Sequence, residues 1–176
     1  PKFKNHINFA DLGCGLGDKT YRLINNSNYK YKKIFLVDFS RESTKVFKNF
    51  YKNSRLSIFN SDIMLALDKF KNNSLDIVIA FGFVHELGNR KSFFLKLKKK
   101  MKKKSLLYIS DNNFHFSADE LNAELKECGI DSQVYKKLFN FFNLHIFYCS
   151  YSRNILSRFF CVYHQGRTDT IISISA

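Results

Sequence analysis

The sequence predicts an α/β fold in which strands and helices alternate around a doubly wound, mostly parallel sheet. Three observations carry that prediction. Short apolar runs at 7–10, 33–37, 56–59, 75–81 and 105–110 alternate with stretches of helical periodicity. A turn with three glycines follows the first run. An acid stands just after each of the first three runs: Asp11, Asp38 and Asp62. Ligands of such sheets sit beyond the carboxyl ends of the strands, so the turn and the acids mark one edge.

Composition bounds the answer. The chain of 176 residues reads as one domain, 1–176, with no internal repeat and no linker. A hydrophobic share of 45% with 16% aromatics argues for a folded globule. The net charge of +14 invites a nucleic-acid or anionic-surface reading. One proline, no tryptophan and an excess of Lys, Asn, Phe, Ile and Tyr match an AT-rich coding sequence, which accounts for much of that charge. Cys14, Cys128, Cys149 and Cys161 are too scattered for a metal-ligand pattern, so no metal is expected and the thiols read as reduced. No signal-peptide pattern opens the sequence. The aromatic stretch 139–164 is broken by Asn143, His145, Arg153, Asn154 and Arg158, too polar for a membrane span. The expectation is a soluble, cytoplasmic protein.

Residues 7–17 read I-N-F-A-D-L-G-C-G-L-G, and helix-compatible residues including Leu23 and Ile24 follow. Strand, glycine turn and helix in that order leave bare backbone N–H groups for a polar or anionic ligand. A dinucleotide fingerprint would place its third glycine where Asp18 stands. The pattern is acid-x-G-x-G-x-G instead, and D-L-G-C-G-L-G resembles motif I of the class I S-adenosylmethionine (SAM) dependent methyltransferases. Asp11 would repel a pyrophosphate but suits a cationic ammonium and sulfonium. The resemblance implies SAM as cofactor, S-adenosylhomocysteine as product, and Asp11, Gly13, Cys14, Gly15 and Gly17 as cofactor-binding positions. It also implies a Rossmann-like, seven-stranded, mostly parallel sheet with helices on both faces. Its strand order would be 3-2-1-4-5-7-6, with an antiparallel last strand. The family usually carries a helical cap segment before the first strand; here it is short or missing.

The remaining elements follow in order. A first helix is expected over 18–26, ending in the polar cluster 25–28. The strand 33–37 ends in Asp38, read as the acceptor for both ribose hydroxyls, with helix capping as the alternative. Phe39 is placed to pack on an adenine face. The helix 41–52 presents Val46, Phe47, Phe50 and Tyr51 on one face as core. After the third strand, the resemblance assigns Asp62 and the backbone of Ile63 to the adenine edge; the alternative for Asp62 is an N-cap.

The fourth strand, 75–81, exits through Phe81, Gly82 and on to G-F-V-H-E-L, a loop that would face the reacting methyl group. Phe81 and Gly82 count among the cofactor positions. The Asn/Asp-Pro-Pro-aromatic signature of amino-group DNA methyltransferases is absent. The H-x-L exit is more like that of small-molecule methyltransferases. His85 is therefore a candidate general base or acceptor-positioning group, or a histidine that merely packs over the cofactor. A helix over 89–104 buries Phe94, Leu97 and Met101, and K-L-K-K-K-M-K-K-K stands where the family has Leu-Lys-Pro-Gly-Gly. That run is either a solvated face or an RNA-docking patch.

The fifth strand, 105–110, leads to Asp111 and His115, two acceptor-side candidates. Ser117 to Glu120 forms a capping box for a helix with Ala118, Leu121, Leu125 and Cys128 inward, closed by Gly129. Two closing strands are expected in 133–164, with a hairpin around 152–154. Three functions follow: methyl transfer to a small-molecule acceptor, methyl transfer to RNA through the basic face, or a catalytically silent SAM-binding partner subunit.

Overall fold

The structure, a computed structural model, describes residues 6–26, 29–50, 55–112, 116–135 and 144–150. Five strands, β1 (Ile7–Leu12), β2 (Tyr31–Asp38), β3 (Leu56–Asn60), β4 (Leu75–Phe81) and β5 (Met101–Asn112), alternate with four helices. These are α1 (Asp18–Asn26), α2 (Arg41–Phe50), α3 (Ile63–Lys69) and α4 (Arg90–Lys100). Then come α5 (Ala118–Glu127), β6 (Asp131–Tyr135) and β7 (Leu144–Ser150). The sheet order is β3-β2-β1-β4-β5-β7-β6. Strands β1 to β5 pair in parallel, while β7 runs antiparallel to both β5 and β6. The α/β, Rossmann-like reading is therefore the fold of this chain.

Why β4 reads as a continuous apolar run is now visible. Val78 and Ala80 face one buried cluster, shared with Leu67, Phe94, Leu97, Leu121 and Leu125 from α3, α4 and α5. Ile77 and Ile79 face the other, against which Leu23 and Ile24 of α1 pack. A strand covered on both faces has no solvent side to keep polar. Burying one such branched side chain contributes about 1.5–3 kcal/mol, so this strand anchors the sheet. The predicted bounds of α1 and β4 agree with the observed ones.

Two expectations are corrected. The helix expected over 89–104 stops at Lys100, where the Met101 backbone turns extended, and 102–104 lie inside β5. Lysines occupy the last turn of α4, where cations complement the negative end of the helix dipole. Val46 of α2 is exposed, and Thr44 takes a buried place on that helix, its hydroxyl donating to the Ser40 and Arg41 carbonyls. The two closing strands, β6 and β7, pair antiparallel, and the hairpin expected around 152–154 lies outside the described residues. The capping box at Ser117 and Glu120 is present with both of its bonds.

Candidate active site

The glycine turn leaves β1 and re-enters the chain as α1. Its amides are not bare. Gly13 and Cys14 donate to the Val37 carbonyl at 2.8 and 3.0 Å, and Gly17 donates to the Cys14 carbonyl at 2.9 Å. Gly15 donates to Asp38 Oδ2 at 2.7 Å. The expected anion cradle is therefore already filled from within. A pyrophosphate would have to displace a carboxylate from the Gly15 amide. The turn suits a ligand that carries positive charge.

Two glycines are required by geometry. Gly13 has φ +69°, and a Cβ there would stand 2.6 Å from the Phe83 ring. Gly15 has φ +52°, yet a Cβ there would meet nothing within 4 Å. The first glycine lets the β4 exit pack against the turn; the second faces open space. Gly82, whose N–H donates to the Ser110 carbonyl at 2.7 Å, also faces open space. Asp11 lies buried beneath the turn, its carboxylate accepting the Thr20 hydroxyl. Burial pushes its pKa up from 3.8 to about 7, against the lowering effects of the Thr20 hydrogen bond and the Lys19 charge. Burial, with the charges of Asp11 and Asp38, also pushes the Cys14 thiol far up, so it stays protonated.

Asp38 ends β2, with Oδ1 accepting the Ser40 N–H at 2.8 Å. Phe39 beside it is 76% exposed, an unusual state for a phenyl ring. Asp62 caps α3, accepting from the Met64 and Leu65 amides at 2.8 and 3.2 Å, and Ile63 follows half-buried. Helix capping, the alternative noted for Asp62, is thus a role it performs.

At the β4 exit, Val84–Glu86 form one 3-10 turn. Asp111, fully buried at the end of β5, accepts the His85 backbone N–H at 3.0 Å, and its other oxygen lies 2.7 Å from His85 Nδ1. A carboxylate accepts, so the Nδ1 position carries the proton and Nε2 is the basic nitrogen. Nε2 lies 3.8 Å from the Glu86 carboxylate. Sequence reasoning named His85 and Asp111 separately and missed their pairing. His115 lies outside the described residues.

One acid therefore stands at or just beyond the end of each parallel strand: Asp11, Asp38, Asp62, Glu86 and Asp111. Glu86 is the member that sequence reasoning overlooked; its place one residue after His85 was the available signal. The open space at Gly15 and Gly82 fits a group that needs close backbone approach, and the carboxylates fit a cationic one. SAM meets both conditions.

Comparison with known proteins agrees. The profile of a methyltransferase domain matches residues 3–156. No curated protein matches at the sequence level. A SAM-dependent methyltransferase from Aquifex aeolicus superposes with a TM-score of 0.67 at 19% identity, over 83% of this chain and 82% of that one. A Haloferax volcanii putative methyltransferase complex with the Trm112 activator gives 0.72 at 13% identity, over 88% and 86%. A putative SAM-dependent methyltransferase from Methanococcus maripaludis gives 0.68 at 16%, over 87% and 81%. These likenesses are of fold, and the domain profile supplies the kinship. With the glycine turn, the strand-end acids and that profile in agreement, the chain belongs to the class I SAM-dependent methyltransferase family.

Proposed function

We propose that this enzyme moves a methyl group from SAM to a small-molecule acceptor at the carboxyl edge of its sheet. The observation that carries the reading is His85 held on Asp111 beside the open space at Gly82. When bound, SAM supplies a methyl group already activated by its positive sulfur. Asp38 would take the ribose hydroxyls, and Phe39, Asp62 and Ile63 the adenine. Gly13, Cys14, Gly15 and Gly17, with Phe81 and Gly82, would line the methionine end, and Asp11 would lie below them, releasing its proton as the cationic group binds. Nε2 of His85 would take the acceptor's proton, with Asp111 holding the ring and stabilising the imidazolium. His115 joins this reading as an acceptor-side group on sequence grounds alone. The reading also takes 1–176 as one domain of the cytoplasm, with β7 as the antiparallel last strand of seven.

An RNA acceptor presented by the 96–104 run is less well supported. Lys96, Lys98 and Lys100 donate to the Met64, Cys128 and Phe70 carbonyls, and Lys102 pairs with Asp76. Among the described residues, no helix is long and apolar enough to cross a membrane. The test is S-adenosylhomocysteine release across a panel of hydroxyl, thiol, amine and carbon acid acceptors, beside total RNA. Turnover on a small acceptor, reduced in His85→Ala, supports the reading. Turnover on RNA alone moves it to the second class. Cofactor binding without any turnover makes the chain a silent SAM-binding subunit.

A further inference from the structure

The opposite edge of the sheet has the opposite charge. Each parallel strand starts there, and several starts carry cations: Arg55 before β3, Lys30, Lys32 and Lys33 at β2, and Lys102 to Lys104 in β5, with His6 before β1. At β4 the sequence supplies an acid, Asp76, but Lys102 Nζ neutralises it, 2.8 Å from both carboxylate oxygens. The row crosses four inter-strand steps from β3 to β5. At about 4.8 Å per step, it is about 19 Å long. Near its β3 end lies a concavity of about 460 Å³, lined by His6, Lys30, Tyr31, Lys32 and Arg55.

A linear row of cations fits a chain of phosphates better than one small anion. Lys30, Lys32, Lys33, Lys103 and Lys104 are all exposed, so their charge is available to a large partner. The β2 start reads Tyr29-Lys30-Tyr31-Lys32-Lys33, and Tyr29 is partly exposed beside the lysines. Cations interleaved with an aromatic ring match how single strands are held, by phosphate contacts with sequence-tolerant stacking. A membrane surface fits less well. The exposed large apolar side chains among the described residues (Leu16, Tyr21, Phe39, Val46, Leu65 and Leu95) lie elsewhere, so nothing here would insert.

We infer that this starting edge is a docking face for single-stranded nucleic acid, gripped through its phosphates by Lys30, Lys32 and Arg55. The edge lies a strand length, about 20–25 Å, from the glycine turn. A strand held there is anchored away from the methyl-transfer site, so this face is additional to the proposed reaction and independent of it.

The test is fluorescence anisotropy with a labelled 20-nucleotide oligouridylate across a salt series. Three or four neutralised phosphates give a slope of log affinity against log salt of about −2 to −3. The triple variant Lys30→Glu, Lys32→Glu, Arg55→Glu should bind at least tenfold more weakly, with a slope near zero. The corresponding triple Gln variant should fall between it and the parent, and stands in if charge reversal prevents folding. Both variants should keep the parent's thermal shift with S-adenosylhomocysteine. No binding at about 50 mM salt, a salt-independent affinity, or unchanged binding by both variants overturns the inference. So does a parent that prefers phosphatidylserine vesicles to the oligonucleotide. A parent that binds RNA but shows no shift with S-adenosylhomocysteine overturns the cofactor reading and leaves this one standing.

Discussion

The Asp38 carboxylate accepts the Gly15 backbone N–H at 2.7 Å, tying the end of β2 to the middle of the glycine turn. One of its oxygens therefore orders the turn while the other caps the approach to α2 through Ser40. The same bond places negative charge where a dinucleotide fold would bind pyrophosphate. A residue that shapes the turn and selects against anions is the natural centre of this site.

Gly13 and Gly15 should respond differently to alanine. Gly13→Ala combines a positive φ with a 2.6 Å collision against Phe83. It should lose about 2–4 kcal/mol of stability, the sum of backbone strain and repacking. Gly15→Ala meets no protein atom and should lose only about 1 kcal/mol. Its methyl group instead enters the open space, so cofactor affinity should fall by more than stability does. Chemical denaturation beside calorimetric titration with S-adenosylhomocysteine separates the two. Equal stability losses would contradict the packing described for Gly13.

Asp11 predicts a pH signature. In the fold it keeps its proton up to about pH 7, whereas the unfolded chain releases it near 3.8. Between those values the folded state holds the extra proton, so stability falls as pH rises and levels off above about 7. The loss is on the order of a few kcal/mol. Asp11→Asn removes this titration. Its Tm should exceed the parent's at pH 8, and the gap should close toward pH 4. A gap that widens on acidification would mean that Asp11 is ionised in the fold.

His85→Ala should lower kcat about 10²–10⁴-fold if the acceptor surrenders a proton, leaving the cofactor's thermal shift intact. Asp111→Asn should lower kcat less, because the ring loses its carboxylate partner while the backbone bond keeps an acceptor. Initial rates of the two variants beside the parent provide the check. Unchanged rates in His85→Ala would mean that the acceptor is already a nucleophile and that His85 only packs.

The lysine run divides into bound and solvated members. Lys98→Gln and Lys100→Gln each remove a charged donor from a carbonyl at a helix end, at 2.9 Å in both cases. Each should cost about 0.5–1.5 kcal/mol. Lys99→Gln and Lys103→Gln, at exposed positions, should stay within about 0.5 kcal/mol of the parent. Urea denaturation of the four variants reads this directly.

Much of the framework is legible in the chain because its signals are local. The glycine turn, the apolar run of β4 and the capping box at Ser117 each lie within a dozen residues. What the sequence hides is made across the sheet. His85 and Asp111 are 26 residues apart and meet only because β4 and β5 are neighbours. Lys96, Lys98 and Lys100 looked like a solvated face because their carbonyl partners lie about 30 positions away. Val46 misled because its spacing is helical, yet α2 turns Thr44 inward instead.

The most direct measurement is a thermal-shift titration with S-adenosylhomocysteine, run on the parent and on Asp38→Ala. At a hundred times the dissociation constant, a bound ligand adds about 2.7 kcal/mol. For a chain of 176 residues that is roughly 5–10 °C. A shift of this size in the parent, lost in a variant that still melts cooperatively, is the predicted result. A cooperatively melting parent with no shift would contradict the cofactor site at the glycine turn, and with it the proposed reaction.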